Sequence, residues 1–424
     1  MKLFNRNFNI LFSGAFVKGL GSGIYSVAAM LLVLHLTGNV FYSGVTFFVI
    51  SIPNIIGFLI APLANYVSFK KGLISAEFLK SILLMSIPLL YSLDLLHVFY
   101  VIAIMFFTAL ISQFTYPIET TLIPTFVGEK NIVKANSLMQ TLREGLDVVF
   151  LAVAGILIAF VGNAEAVFIT AICHFITGIL YCFFRFQVQD SSGYEKSSTS
   201  AWKTYKKDLN EGIQFIRGSD IFKKILGPAI MINFFFGGAM AVLPAFALFH
   251  GGSDEYYGYL LSAITVGSLI GAIITPKFKN FSFGKLHIVG FLVAGIAIIG
   301  VAYVPFWISL MLMPITFICI TITNIILFSI IQQKVKRALV GRIITVVTSF
   351  AGLAMPLGGL IGGALGNINV IYPIVLAGLS MLFISLYFLI QPTLRKLPKA
   401  DEVSFNANFE NGEVALEPTG AVNK

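Results

Sequence analysis

A few ionisable side chains of this chain stand inside long apolar runs, and any chemistry would have to be done there. Lys18 lies in the run at 9–34, flanked by Gly14, Gly19, Gly21 and Gly23, while Arg143, Glu144 and Asp147 lie together in the run at 137–160. A charge in hydrocarbon costs several kcal/mol unless it is paired or hydrated, so each of these is a functional candidate. Arg143 and Asp147 share one helical face by their spacing. Asp147 falls about nine residues, roughly 14 Å, past the start of its run. The chemistry such groups could support is reversible proton binding by Asp147 or Glu144, with Lys18 tuning it or meeting an anionic substrate. The alternative is a static ion-pair cluster that holds helices together. Glu119, near the end of another run, is expected to pair with Lys70, Lys71 or Lys80 as part of a gate.

Other chemistries find no support. His174 is one histidine inside an apolar run, beside Cys173, and reads as a satisfied packing residue. Cys173, Cys182 and Cys319 all lie in apolar runs, so neither a disulfide framework nor a zinc site is implied. The pair Gly284-Lys285 is followed by Leu286, and Lys279 stands where a phosphate loop needs its first glycine, so nucleotide hydrolysis is excluded. We expect no enzyme activity, no cofactor and no metal.

The elements that must position these residues are membrane helices. Of 424 residues, 57% are hydrophobic and 11% charged, with a mean hydropathy of +0.91, whereas soluble domains carry about 25% charged residues. About 20 apolar residues span a bilayer as a helix. Such runs occur at 9–34, 42–67, 72–92, 97–119, 137–160, 164–186, 224–249, 255–276, 286–305, 308–331, 343–365 and 370–391. Alternate loops carry Lys70, Lys71, Lys130, Lys134, Lys277, Lys279, Lys285, Lys334, Lys336 and Arg337. The intervening loops, 35–40, around Asp94, 162–166, 250–257, 304–307 and 366–369, carry neither Lys nor Arg. This is the positive-inside pattern, and it predicts both termini on the cytoplasmic side. The net charge of +9 is thereby assigned to loops, and no nucleic-acid partner is expected. Lys2 and Arg6 precede a first run too long for a signal-peptide core, so a retained helix is expected.

The two halves repeat. Tyr42-Ser43-Gly44 aligns with Tyr256-Tyr257-Gly258, and without a gap Gly57 meets Gly271, Pro62 meets Pro276 and Ser68-Phe69-Lys70-Lys71 meets Ser282-Phe283-Gly284-Lys285. Parallel repeats of six helices are an architecture of secondary transporters, with substrate near the midplane. Residues 1–186 and 224–395 form the expected bundles, which would rock against one another. Between them, 187–223 spaces Trp202, Tyr205, Leu209, Ile213 and Ile216 as one face of a helix at the lipid interface, or serves as a plain connector. Residues 396–424 form a polar, mildly acidic tail expected to be disordered on the cytoplasmic side. Gly267 and Gly271, with Gly358 and Gly362 beside Pro356, have small-residue spacing for close helix contact.

These residues also carry a family resemblance. Gln332-Gln333-Lys334-Val335, Gly341-Arg342 and Met355-Pro356-Leu357-Gly358 resemble a signature of major facilitator superfamily exporters, especially bacterial macrolide-efflux-type permeases. Pro117, Pro124, Ala135-Asn136-Ser137-Leu138 and the segment 208–224 are similar to other parts of that branch, and together the likeness covers most of residues 1–395. The resemblance implies an all-α integral membrane fold of twelve helices in two pseudo-symmetric bundles. It implies a monomer in a bacterial plasma membrane, exporting a small hydrophobic or amphiphilic, drug-like substrate by proton antiport, with protons and membrane lipids as its other partners. It also places a cytoplasmic gate at Asn65, Lys70, Lys71, Glu77, Lys80, Lys285, Gly341 and Arg342. In that architecture the first and fifth helices adjoin, so a Lys18–Asp147 pair is expected. At Asn65-Tyr66 the chain departs from the family's Asp-Arg pair, which weakens the implied latch. A lipid, siderophore or peptide cargo on the same fold, or a transport-inactive sensor or scaffold, are the other readings.

Overall fold

In hydrocarbon every backbone N–H and C=O must bond within its own segment, so apolar runs become helices. A computed structural model describes residues 3–60, 67–128, 131–186, 210, 220–278, 280–334 and 337–397. The first six long helices are α1 (Arg6–Thr37), α2 (Val40–Ile60), α3 (Phe69–Ser92), α4 (Val98–Val127), α5 (Ile132–Val161) and α6 (Asn163–Cys182). After the linker come α7 (Asp220–Gly251), α8 (Glu255–Ile274), α9 (Phe283–Tyr303), α10 (Phe306–Lys334), α11 (Arg337–Ile368) and α12 (Ile371–Ile390), with a short α13 (Pro392–Arg395). Among the described residues there is no strand. Nine helices there are long and apolar enough to cross a membrane, and Val40–Pro53 and Gly352–Ile368 are shorter apolar stretches.

Several helices run past their apolar limits. The run at 97–119 becomes a helix ending at Val127, carrying Pro117 and Pro124 inside it. What ends it is Gly128, whose N–H bonds to the Pro124 carbonyl at 3.0 Å. Hydropathy marks where lipid begins; capping marks where the helix stops. At this same end of the bundle, Asn5 caps α1 by accepting from the Phe8 N–H at 3.1 Å, and it donates to the Phe126 carbonyl at 2.6 Å. The amphipathic segment of the linker and the tail beyond 397 lie outside the described residues.

The chain divides into two compact units: Met1–Trp202 with Ala241–Ser262, and Lys203–Met240 with Ala263–Lys424. The first therefore includes the end of α7 and the start of α8. One reason is Asp254, which lies 2.7 Å from the His35 ring nitrogen and accepts a hydrogen bond of 3.1 Å from Asn163.

In the first unit α1 is the axis, packing against α5 and α6, while α3 packs on α6 and α2 on α4. Two glycines allow this. A Cβ at Gly21 would stand 2.9 Å from Cys173 Cβ on α6, and one at Gly23 would stand 2.5 Å from Phe150 Cβ on α5. Below, Phe8, Leu11, Leu73, Ile118, Leu122 and Tyr181 form a buried apolar cluster where α1 begins and α6 ends. In the second unit α9 packs on α10 and α12. There Gly267 and Gly271 lie against the Pro314 and Ile318 backbone of α10. Gly358 and Gly362 of α11 lie against Phe234 and Gly238 of α7, and Pro356 is buried.

These crossings predict a contrast. Gly21→Val has to displace α6 backbone near Thr170, 3.2 Å away, and should destabilise the protein by about 1–3 kcal/mol. Gly145→Ala meets nothing within 4 Å and should be neutral or slightly stabilising. Thermal unfolding of detergent-purified protein separates the two; equal midpoints would contradict the packing.

Candidate functional site

Five helices of the first unit deliver charged side chains to one level. Glu77 and Lys80 lie eight and eleven residues into α3, about 12 and 17 Å along it. Glu119 lies eight residues before the end of α4, and Lys18 and Arg143 are twelve and eleven residues into α1 and α5. His174 and Tyr181 lie on α6, two turns apart and thus on one face. These positions coincide in depth because α1, α3 and α5 start at the end of the bundle where α4 and α6 finish.

Two ionic groups result. In the first, the Glu119 carboxylate is 2% exposed and pairs through Oε1 with Lys18 Nζ. Its Oε2 faces Arg143 at 3.4 Å, and Tyr181 donates its hydroxyl to Oε1 at 3.4 Å. The Arg143 guanidinium also sits over the Tyr116 ring, 4.9 Å from its centroid, in cation–π geometry. In the second group, His174 Nδ1 is 2.6 Å from Glu77 Oε2, and Lys80 Nζ is 3.7 Å from Glu77 Oε1. The Glu77 and Lys80 side chains are 0% and 4% exposed. That Lys80 distance is an ion pair beyond hydrogen-bond reach. Charges this deep are tolerable only because each has an opposite partner.

The geometry revises the pairings expected of these residues. Lys18, expected to meet Asp147, pairs with Glu119, and beside it α5 presents Leu146 to α1: a Cβ at Gly19 would stand 2.5 Å from Leu146 Cδ1. Glu119 pairs with Lys18 and Arg143 rather than with Lys70, Lys71 or Lys80. Lys80 is taken by Glu77 three residues earlier on its own helix, Lys70 donates to the Phe184 carbonyl at 2.8 Å, and Lys71 is exposed. Glu77 and Lys80, expected at the cytoplasmic gate, are buried at the level of the cluster. His174 is buried and satisfied as expected, and the partner that satisfies it is the charged Glu77. Of the remaining expected residues, Glu144 and Asp147 lie on α5 and Gly341 and Arg342 on α11, with side chains outside the described residues. Asn65 lies outside them entirely, and Lys285 is exposed at the start of α9.

Tyr116 and Tyr181 were not singled out in the sequence. The signal for Tyr181 was present in its seven-residue spacing from His174 on α6. Nothing in the sequence marked Tyr116, because a tyrosine among apolar residues is ordinary.

Two cavities adjoin the cluster. A smaller one of about 260 Å³ is lined by Lys18, Lys80, Glu119, Arg143 and His174, with Ser112 and Thr115 among its neutral walls. A larger one of about 560 Å³ is lined by Thr120, Asn136, Ser137 and Thr141, with Ile123 and Met139. Tyr116 and Arg143 line both. The larger volume is within the usual range for small-molecule sites, about 300–1,000 Å³. Among the described residues no cluster of His, Cys, Asp or Glu could hold a metal.

Comparison with known proteins places this geometry. Residues 2–420 match the family model described as transmembrane secretion effector, of the major facilitator type. Two MFS-type transporters of Bacillus subtilis (strain 168), both uncharacterized, are similar along most of their length. YkuC is 24% identical over 395 residues, 89% of this chain and 88% of its own, and YvqJ is 20% identical over 376 residues, 86% and 87%. Among solved structures, a bacterial homologue of the iron transporter ferroportin in an inward-facing state superposes with a TM-score of 0.68 at 13% identity, over 92% of this chain and 99% of its own. The nucleoside transporter NupG superposes with 0.66 at 13% identity, over 93% and 100%. At such identities the structures share the fold alone. This chain is a multi-pass membrane protein and a transporter, not an enzyme, and it belongs to the transmembrane secretion effector family of the major facilitator superfamily.

Proposed function

We propose that this chain exports a hydrophobic or amphiphilic small molecule across the plasma membrane of a bacterium by alternating access, with both termini cytoplasmic. The observation that carries this reading is the position of Glu119. Its carboxylate joins Lys18 and Arg143 at the wall of a cavity, with a second, larger cavity alongside. An ion-pair cluster serving only to hold helices together would not need to line a cavity. The family description, secretion effector, supports the outward direction. The resemblance of Gly341-Arg342 and Met355-Pro356-Leu357-Gly358 to macrolide-efflux permeases supports a drug-like cargo. The alternation of basic and non-basic loops supports the orientation.

The proton-motive force supplies the energy, and the form of coupling follows the charge of the cargo. A neutral or cationic cargo leaves in exchange for an entering proton. An anionic cargo is pushed outward by the inside-negative potential itself, at about 2.3 kcal/mol per charge for 100 mV.

In energised cells, expression should lower the steady-state accumulation of hydrophobic dyes, and a protonophore should abolish the difference. Glu119→Gln leaves two cations without their carboxylate, a loss worth about 3–5 kcal/mol where a buried pair is broken. It should cut efflux at least about tenfold even when membrane abundance is matched, while Glu165→Gln in the first turn of α6 leaves efflux unchanged. Equal accumulation with and without the protein, across dyes of all charges, would defeat the export reading.

A further inference from the structure

Glu119 serves its donors unevenly. Lys18 and Tyr181 both converge on Oε1, and Arg143 reaches Oε2 only at 3.4 Å. A guanidinium carries five N–H donors in a planar fork, and 3.4 Å is a long contact for any of them. The Arg143 side chain is also 29% exposed, against 18% for Lys18, the other cation on Glu119. The smaller cavity is lined by three cations, Lys18, Lys80 and Arg143, and among the described residues by one carboxylate, Glu119. The cation at its boundary with the larger cavity is Arg143, with the Tyr116 ring beneath it.

We propose that Arg143 anchors an anionic group of the transported amphiphile, a carboxylate or phosphate seated where the two cavities meet. This rests on the export reading. The planar fork pairs with either anion through two parallel hydrogen bonds, which it does not form with Glu119. Thr120, Asn136, Ser137 and Thr141 line the larger cavity with hydroxyls and an amide suited to a polar head, and Ile123 and Met139 offer apolar surface. A cationic head would instead have to sit against the Arg143 guanidinium. Glu119 and the cargo compete for Arg143, so removing the carboxylate should strengthen the anion's hold.

The test is equilibrium binding to the full chain in phosphatidylcholine nanodiscs with no ion gradient. Displacement of a fluorescent dodecyl phosphate is measured with four probes of equal chain length: dodecyl phosphate, dodecanoate, dodecyl maltoside and dodecyltrimethylammonium. At least one of the two anions should bind about tenfold or more tightly than the neutral and cationic probes, the scale of one hydrogen-bonded charge pair. The tighter of the two identifies the headgroup, and equal binding means that both are accepted. Arg143→Gln should erase the preference, Arg143→Lys should retain part of it, and Glu119→Gln should increase it. Equal affinities across the charge series would overturn the proposal, as would a preference that survives in Arg143→Gln. Should that variant not fold, the wild-type series and the direction of the Glu119→Gln change decide. Because no gradient is present, loss of the preference counts against the anchor alone. Protonophore-insensitive dye accumulation counts against export and leaves the anchor standing.

Discussion

A carboxylate held within the span of a membrane must be met by positive charge, and Glu119 imposes that condition on the whole first unit. Its two oxygens draw Lys18 from α1, Arg143 from α5 and the Tyr181 hydroxyl from α6 to one point on α4. Glu77 makes the same demand on Lys80 and His174 one layer away. Neither group is a strong argument for stability, since desolvating both partners costs about as much as their attraction returns. They are better understood as constraints of register: α1, α4, α5 and α6 cannot slide past one another without leaving a charge in hydrocarbon unpaired.

That register is possible only because α1 is small-sided where it has to be. Gly21 faces α6, and Gly19 and Gly23 face α5, so the backbone comes close enough for the Lys18 side chain to reach α4. Close backbone packing of this sort is how helices associate in lipid, where burial of apolar surface drives little by itself. The apolar cluster around Phe8, Leu73 and Ile118 then seals the end of the unit below the ionic groups. Among the described residues, two cavities meet at Tyr116 and Arg143, with charged groups set in largely apolar walls.

Much of this was readable from residue types. The apolar runs marked the helices, because a lipid-embedded backbone has few alternatives. Their ends were misjudged where capping rather than hydropathy decides, as at Gly128. Lys18, Glu119 and Arg143 stood out because charges inside apolar runs are rare. The choice of partner was not readable. Helical spacing offers Arg143 the neighbour Asp147 and gives no sign of Glu119, which the fold brings to it from another helix. Glu77 and Lys80 were assigned to a gate by resemblance, and only the packing of α3 on α6 brought them inside beside His174.

The sequence by itself determined that the chain is a bundle of membrane helices in two related halves, and which side chains bear charge within it. Both follow from local chemistry: the solvent dictates helix, and the residue type dictates charge. Only the tertiary structure decided that Lys18 answers Glu119, that His174 answers Glu77, and that Arg143 stands between two cavities. Those pairings join residues that are 101, 97 and 24 positions apart. Ion-pair distances depend on the rotation and offset of whole helices, which no local pattern encodes.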